Sequence, residues 1–369
     1  MLSRQREDAK WVLRSLRRRL FVEQDQQDTI AAYSGLVHQA FHAVPFAPRV
    51  SSDLWDHGRF RASTNLPAFY SPAFRERENS SHHYGHDVQL KRHARLPLIG
   101  TPLPLLLEHG LKVSRASTFE RPKHWSKAFL CMGPLRARWV QERFGIPAVP
   151  IGPWIAYARS LLSPEREEEI RGALGRTLLV VLAHSWDSVE RRMDLKACLR
   201  SVHSIQRGGD YQSVILLRHW KDEQWPELPP DWIVACNGHR SNPWFLDSLR
   251  SLMLLSDGLA TNAFGTHLGY GFHLGQQLHW IAVPPDQDLR QLKPDQADVE
   301  AQEWVERQRL SATLERVLMT DAGRWSAGCQ QEVRNLLDPY WGFEYVRSPE
   351  VMKKILRSRK YIDSLLISR

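Results

Sequence analysis

The sequence predicts an α/β protein built on parallel sheets, and three observations carry that prediction. The stretch from Asp257 to Gly275 reads as strand, loop and helix, and it leads into another apolar run at 278–283. That order is one βαβ unit. Runs of strand length at 177–183, Ser213–Leu217, 233–236 and Gly258–Thr261 alternate with helical patterns. Such runs lack polar alternation, as strands covered by helices on both faces require. The chain has 369 residues, a length that predicts two domains, and 42% hydrophobic with 25% charged residues is an ordinary globular composition.

Taken in order, residues 1–22 predict a basic amphipathic helix with Val12, Leu13, Leu16 and Leu20 as its stripe. A second helix is predicted over 29–43. From 45 to 93 the chain is rich in Pro, Ser, His and Arg and reads as long loops with short elements; long loops in compact domains are often functional. Apolar runs at 96–99 and 105–113 follow. A strand at 127–132, a helix over Pro134–Phe144 and a strand at 148–151 form a further β-α-β. Pro134 opens that helix and Gly145 stops it. Ser163-Pro164 opens an acidic helix that Gly172 and Gly175 end, with cap, proline and first-turn acids in agreement. We place the domain linker there, between a first domain at 1–162 and a second at 175–345. The second half is predicted to be doubly wound, with helices at 189–206, 244–255, 298–318 and 325–337. The tail, 350–369, predicts one basic amphipathic helix packing back on a domain.

Lysine and arginine total 50 against 41 acids, a net charge of +9, which favours anionic partners. No run of 18 apolar residues occurs, so no membrane-crossing helix is expected, and residues 1–19 carry no signal-peptide core. Cys131, Cys198, Cys236 and Cys329 are widely spaced, which predicts free thiols in a reducing compartment. The basic residues fall mostly in the terminal helices without a recognisable nucleic-acid motif, so nucleic acid is not an expected partner.

In open α/β sheets ligands bind beyond the carboxyl ends of the strands. Four predicted strands are followed by polar clusters that each hold a histidine: His184-Ser185, Arg218-His219-Trp220-Lys221, Asn237-Gly238-His239 and Asn262-Ala263-Phe264-Gly265-Thr266-His267. The mix suits a nucleotide. Lys221, Arg218 and helix-end N–H groups would hold phosphate, Trp220 would stack a base, and Asn237 and Asn262 would supply hydrogen bonds. Gly265 and Thr266 sit where a loop turns into a helix, and there N–H groups and the helix dipole favour an anion. In the first half Glu108 and His109 follow a strand and are candidate catalytic groups, with Asp53 and Asp56 as rivals for the base. Asp286 and Asp288 form a D-x-D that is discounted as a metal site because it follows Pro284-Pro285 in a charged loop, and His82, His83 and His86 are discounted because no nearby Cys or paired carboxylate completes a site. No metal is expected. P-loop, serine-hydrolase and zinc-protease motifs do not occur.

From Pro150–Tyr157 through Leu178–Ser185, Leu216–Lys221 and Leu255–Asp257 to Thr261–Tyr270, the order of signals resembles the GT-B glycosyltransferases that build bacterial capsule or lipopolysaccharide. The resemblance covers about 150–280. It implies two Rossmann-like domains facing a cleft, a nucleotide-sugar donor held mainly by the C-terminal one, no obligatory metal and no further cofactor. The donor site would comprise His184, Ser185, Trp220, Lys221, His239, Asn262, Gly265, Thr266 and His267. Capsule Kdo and sialic acid transferases place a His-Pro dipeptide by the donor phosphate, and this chain has none, which counts against a CMP-linked donor. The expected activity is transfer of a sugar to a surface-glycan or lipid-linked acceptor. Polyol-phosphate transfer and non-catalytic nucleotide or carbohydrate binding are the alternatives. The expected location is cytoplasmic, with weak peripheral contact at the inner membrane face through the basic ends.

Overall fold

A computed structural model describes residues 84–96, 103, 105–116, 126–185, 189–219, 227–237, 245–320 and 324–367. It is mixed α/β, with two parallel sheets. The N-terminal predictions for 1–22 and 29–43, most of the loop at 45–93, and Asp53, Trp220, Lys221 and His239 lie outside the described residues.

Helix α1 (His86–His93) is a short element at the end of the stretch read as long loops with short elements. Its positions from His86 to Lys91 are all buried, polar ones included, so it carries no one-sided apolar stripe to read. The first sheet follows as β1 (Leu105–Leu107), β2 (Ala128–Cys131) and, after α2 (Pro134–Phe144), β3 (Ala148–Pro150). All its pairings are parallel, in the order β1-β2-β3, and every strand residue is buried. Gly145 ends α2 in the left-handed region at φ 63°, where its N–H reaches the Gln141 carbonyl. Helix α3 (Pro164–Leu174) opens as its punctuation predicts: the Ser163 hydroxyl accepts the Arg166 N–H at 3.2 Å.

The second sheet is laid down by β4 (Thr177–Val181), then a short β5 (Glu190–Arg192), α4 (Leu195–Gly208), β6 (Ser213–Leu217) and β7 (Ile233–Ala235). It continues with α5 (Phe245–Leu254), β8 (Gly258–Thr261), α6 (Thr266–His273), β9 (Gln277–Trp280) and β10 (Asp286–Asp288). Five strands pair in parallel in the order β7-β6-β4-β8-β9. The chain leaves β4 toward β6 and β7, then returns to its other flank for β8 and β9. The edge between β4 and β8 is therefore the switch point at which an open sheet forms its crevice. The helix predicted from 189 begins only at Leu195, capped by Asp194, which accepts the Ala197 N–H at 2.9 Å. The residues before it pair antiparallel with β10, so the discounted Asp286 and Asp288 are strand residues.

Helices α7 (Pro294–Met319), α8 (Ala327–Trp341), α9 (Pro349–Arg357) and α10 (Arg359–Ile367) complete the chain. The tail is two helices rather than one, because Ser358 takes an extended conformation at φ −123° and ψ 111°. Helix α9 packs on α1, and α10 on β3. Met352, Ile355, Leu356 and Ile362 are buried, while Lys353, Lys354, Arg357, Arg359 and Lys360 stay exposed. One buried apolar cluster runs without a break from Leu105, Leu130 and Ile151 of the first sheet to Leu179 and Leu259 of the second. Gly269 of α6 lies against the Trp341 ring so closely that a Cβ would sit 2.3 Å from it. Among the described residues no helix is long and apolar enough to cross a membrane.

Candidate functional site

The carboxyl ends of β4, β6, β7 and β8 open into one cavity of about 440 Å³, a volume in the range of small-ligand sites. From the second sheet it is lined by His184, Arg218, His219, Asn237, Asn262, Gly265, Thr266 and His267. From the loop after β1 come His109, Gly110, Leu111 and Lys112, so both sheets contribute walls. Helix α7 closes one side with Glu300, Trp304 and Arg307, and β5 adds Arg191.

Hydrogen bonds and an ion pair join the described parts of these loops. Asn262 bridges the switch point: its Oδ1 accepts the Ala183 N–H at 2.8 Å, and its Nδ2 donates to the Val283 carbonyl at 2.9 Å. Glu303 accepts the N–H groups of Val113 and Ser114, both at 2.8 Å, and pairs with Arg307 at 2.9 Å. Arg307 in turn donates to the carbonyls of Phe264, at 2.6 Å, and Leu111. One ion pair on α7 thereby ties the loop after β1 to the loop after β8. The Thr266 hydroxyl adds a further tie by accepting the Leu111 N–H at 3.2 Å. The Trp341 indole donates to the Thr266 carbonyl at 3.2 Å, which fixes the start of α6.

The electrostatics favour an anion. Lys112, Arg191, Arg218 and Arg307 line the cavity, against Glu300 on the wall and Glu303 behind Arg307. Burial lowers the Arg191 guanidinium to about 10, helped by Arg307, and that still leaves it charged at neutral pH. It lies over the Trp304 ring at 5.3 Å. His267 is pushed down to about 3, first by burial and then by His184, so its ring is neutral, and Thr261 Oγ1 lies 2.7 Å from Nε2. The ring packs over Gly265, where a Cβ would meet it at 2.7 Å. The small residue at this turn therefore admits an imidazole of the chain itself.

The sequence candidates divide by position. His109, His184, Asn262, Gly265, Thr266 and His267 converge on the cavity. Ser185 turns aside to β5, where its hydroxyl accepts the Arg191 N–H at 2.9 Å. Glu108 is buried at the end of the first sheet, where Oε2 accepts the Met132 N–H at 2.8 Å and Arg136 lies 3.9 Å from Oε1. It does not line the cavity, whereas His109 does, its ring stacked at 6.1 Å on His86, which stacks at 4.1 Å on Trp154. Sequence reasoning missed Arg191, Trp304 and Arg307. The signal for the last was the Glu303/Arg307 spacing of four on a helix face, which alone says nothing of a cavity. Among the described residues no group of three or more His, Cys, Asp or Glu side chains is placed to hold a metal.

Comparison with known proteins adds no relative: no protein-family model matches the chain, and neither does any curated protein.

Proposed function

We propose that the protein is a metal-independent glycosyltransferase of the GT-B type. In this reading a nucleotide-sugar donor occupies the cavity, and its sugar passes to a surface-glycan or lipid-linked acceptor. The observation that carries the reading is the cavity's position: it opens at the switch point of a five-stranded parallel sheet, with the loop of a second parallel sheet as its opposite wall. The two sheets then act as two Rossmann-like halves, the second holding the donor. The start of α6 and the guanidiniums of Arg191 and Arg218 face the phosphates and stabilise the departing nucleotide. His109 is the candidate base for the acceptor hydroxyl, since of Glu108 and His109 it alone reaches the cavity.

The test is release of free nucleotide from a panel of nucleotide-sugars, with and without glycan acceptors. The reading expects turnover with at least one donor. It also expects His109→Gln to slow that turnover by about 10²-fold or more while donor binding persists. Binding of donors with no turnover across the panel would instead support a non-catalytic nucleotide-binding protein. The internal use of Glu108, whose carboxylate accepts the Met132 N–H, favours that alternative.

A further inference from the structure

Tyr270 follows Thr266 by one helical turn on α6, so the two share a face of the helix, and both line the cavity. A helical side chain leans toward the turn that precedes it, which carries the phenol ring back toward the start of α6. Glycines on either side of Tyr270 let the helix seat closely. A Cβ at Gly269 would meet the Trp341 ring at 2.3 Å, and one at Gly271 would meet the Leu259 side chain of β8 at 2.7 Å. Helix α6 thereby packs hard against both α8 and β8, and that packing sets the direction of the ring between the two glycines.

Only 3% of Tyr270 is exposed. Hydroxyls buried to that degree are as a rule hydrogen-bonded within the fold. The Tyr270 hydroxyl has no hydrogen-bond partner among the described residues, and the chain from 245 to 320 is described without a break. Phenylalanine would fill the same space and leave no hydroxyl unpaired. The start of α6 has the same character. Its N-cap, Gly265, offers no side chain to the first N–H groups of the helix. The Thr266 hydroxyl accepts the Leu111 N–H at 3.2 Å, which leaves its own O–H to donate. Burial, then Glu108 and Tyr84, raises the Tyr270 phenol well above the usual tyrosine value, so it keeps its proton through neutral pH. Donors without acceptors therefore converge on one end of the cavity.

We propose that Tyr270 is a phosphate-binding residue, whose O–H donates to a phosphate oxygen of the ligand beside the Thr266 hydroxyl and the first N–H groups of α6. The inference rests on the reading of the cavity as a nucleotide site and adds to that site a donor that carries no charge. Binding makes and breaks hydrogen bonds only, and no covalent bond changes.

The experiment compares the full chain with its Tyr270→Phe variant in two measurements. The first is calorimetric titration with UDP and with inorganic pyrophosphate. The second is urea unfolding of both proteins without added ligand. The wild type is expected to bind at least one probe, and the variant to bind it about fivefold or more weakly, as loss of a hydrogen bond to a charged group requires. The urea midpoint of the variant should equal or exceed that of the wild type, because no bond within the fold is lost. A smaller loss of affinity for any probe the wild type binds would overturn this inference and leave the nucleotide site standing. A lowered midpoint would also overturn it, by showing that the hydroxyl serves the fold. No binding of either probe by the wild type would overturn both readings. Tyr270→Leu carries the affinity comparison if the phenylalanine variant fails to fold.

Discussion

His279, on the edge strand β9, shows how a single side chain ties stability to pH. Its Nε2 lies 2.8 Å from the Tyr211 hydroxyl. Burial, then the nearby Arg176, holds its pKa down to about 4. In the unfolded chain the ring titrates near 6.5. Between those values the unfolded state binds a proton that the folded state refuses, so stability rises with pH there. The contribution of the neutral ring is complete above about 6.5 and is lost as pH falls toward 4. His267, lowered to about 3, acts in the same direction over a longer range. We predict that His279→Gln flattens the acid limb by about 1.4 kcal/mol per pH unit between pH 6.5 and 4. Urea unfolding at a series of pH values reads that slope, and an unchanged slope would show that His279 titrates normally in the fold.

At the scale of elements, the Glu303–Arg307 pair on α7 holds two loops that belong to different sheets. Both side chains are largely buried, at 3% and 16% exposure. Glu303→Gln keeps the shape but leaves the Arg307 charge without its partner. Breaking a buried pair in this way costs about 3–5 kcal/mol, so the variant should show a clear drop in urea midpoint with little change in slope. Glu303→Leu combined with Arg307→Met should recover part of the loss; a double variant no better than the single would place the cost in the lost backbone contacts instead.

Elements whose boundaries are local chemistry were legible in the sequence: Pro134 and Gly145 bound α2 as read, Ser163 caps α3, and the apolar runs at 213–217 and 258–261 are strands. Elements set by distant partners were not. Strand β5 exists because Glu190–Arg192 meets Asp286–Asp288, nearly a hundred residues away, and α1 is buried too completely to show a period. The same division runs through the site. Residues just past strand ends could be nominated from strand order alone, whereas Arg191 and Arg307 arrive on elements whose placement only the tertiary structure supplies.

In the whole molecule, one apolar core joins two parallel sheets, and the polar loops of both meet over the cavity. Our account requires that a nucleotide lie with its phosphates at the start of α6. Thr266→Pro examines that placement while keeping the start of the helix, at the cost of the Thr266 hydroxyl that accepts the Leu111 N–H. Proline is favoured at the first helical position, and Gly265 already has the extended conformation, φ −125° and ψ 173°, that a residue before proline adopts. The substitution removes one N–H donor and the Thr266 hydroxyl. The most direct measurement is the calorimetric affinity of wild type, Thr266→Pro and Arg191→Ala for a panel of nucleoside mono- and diphosphates. The account predicts that the wild type binds at least one of them and that each variant binds it about tenfold or more weakly, a loss of about 1.4 kcal/mol or more. Unchanged affinity in both variants would contradict it.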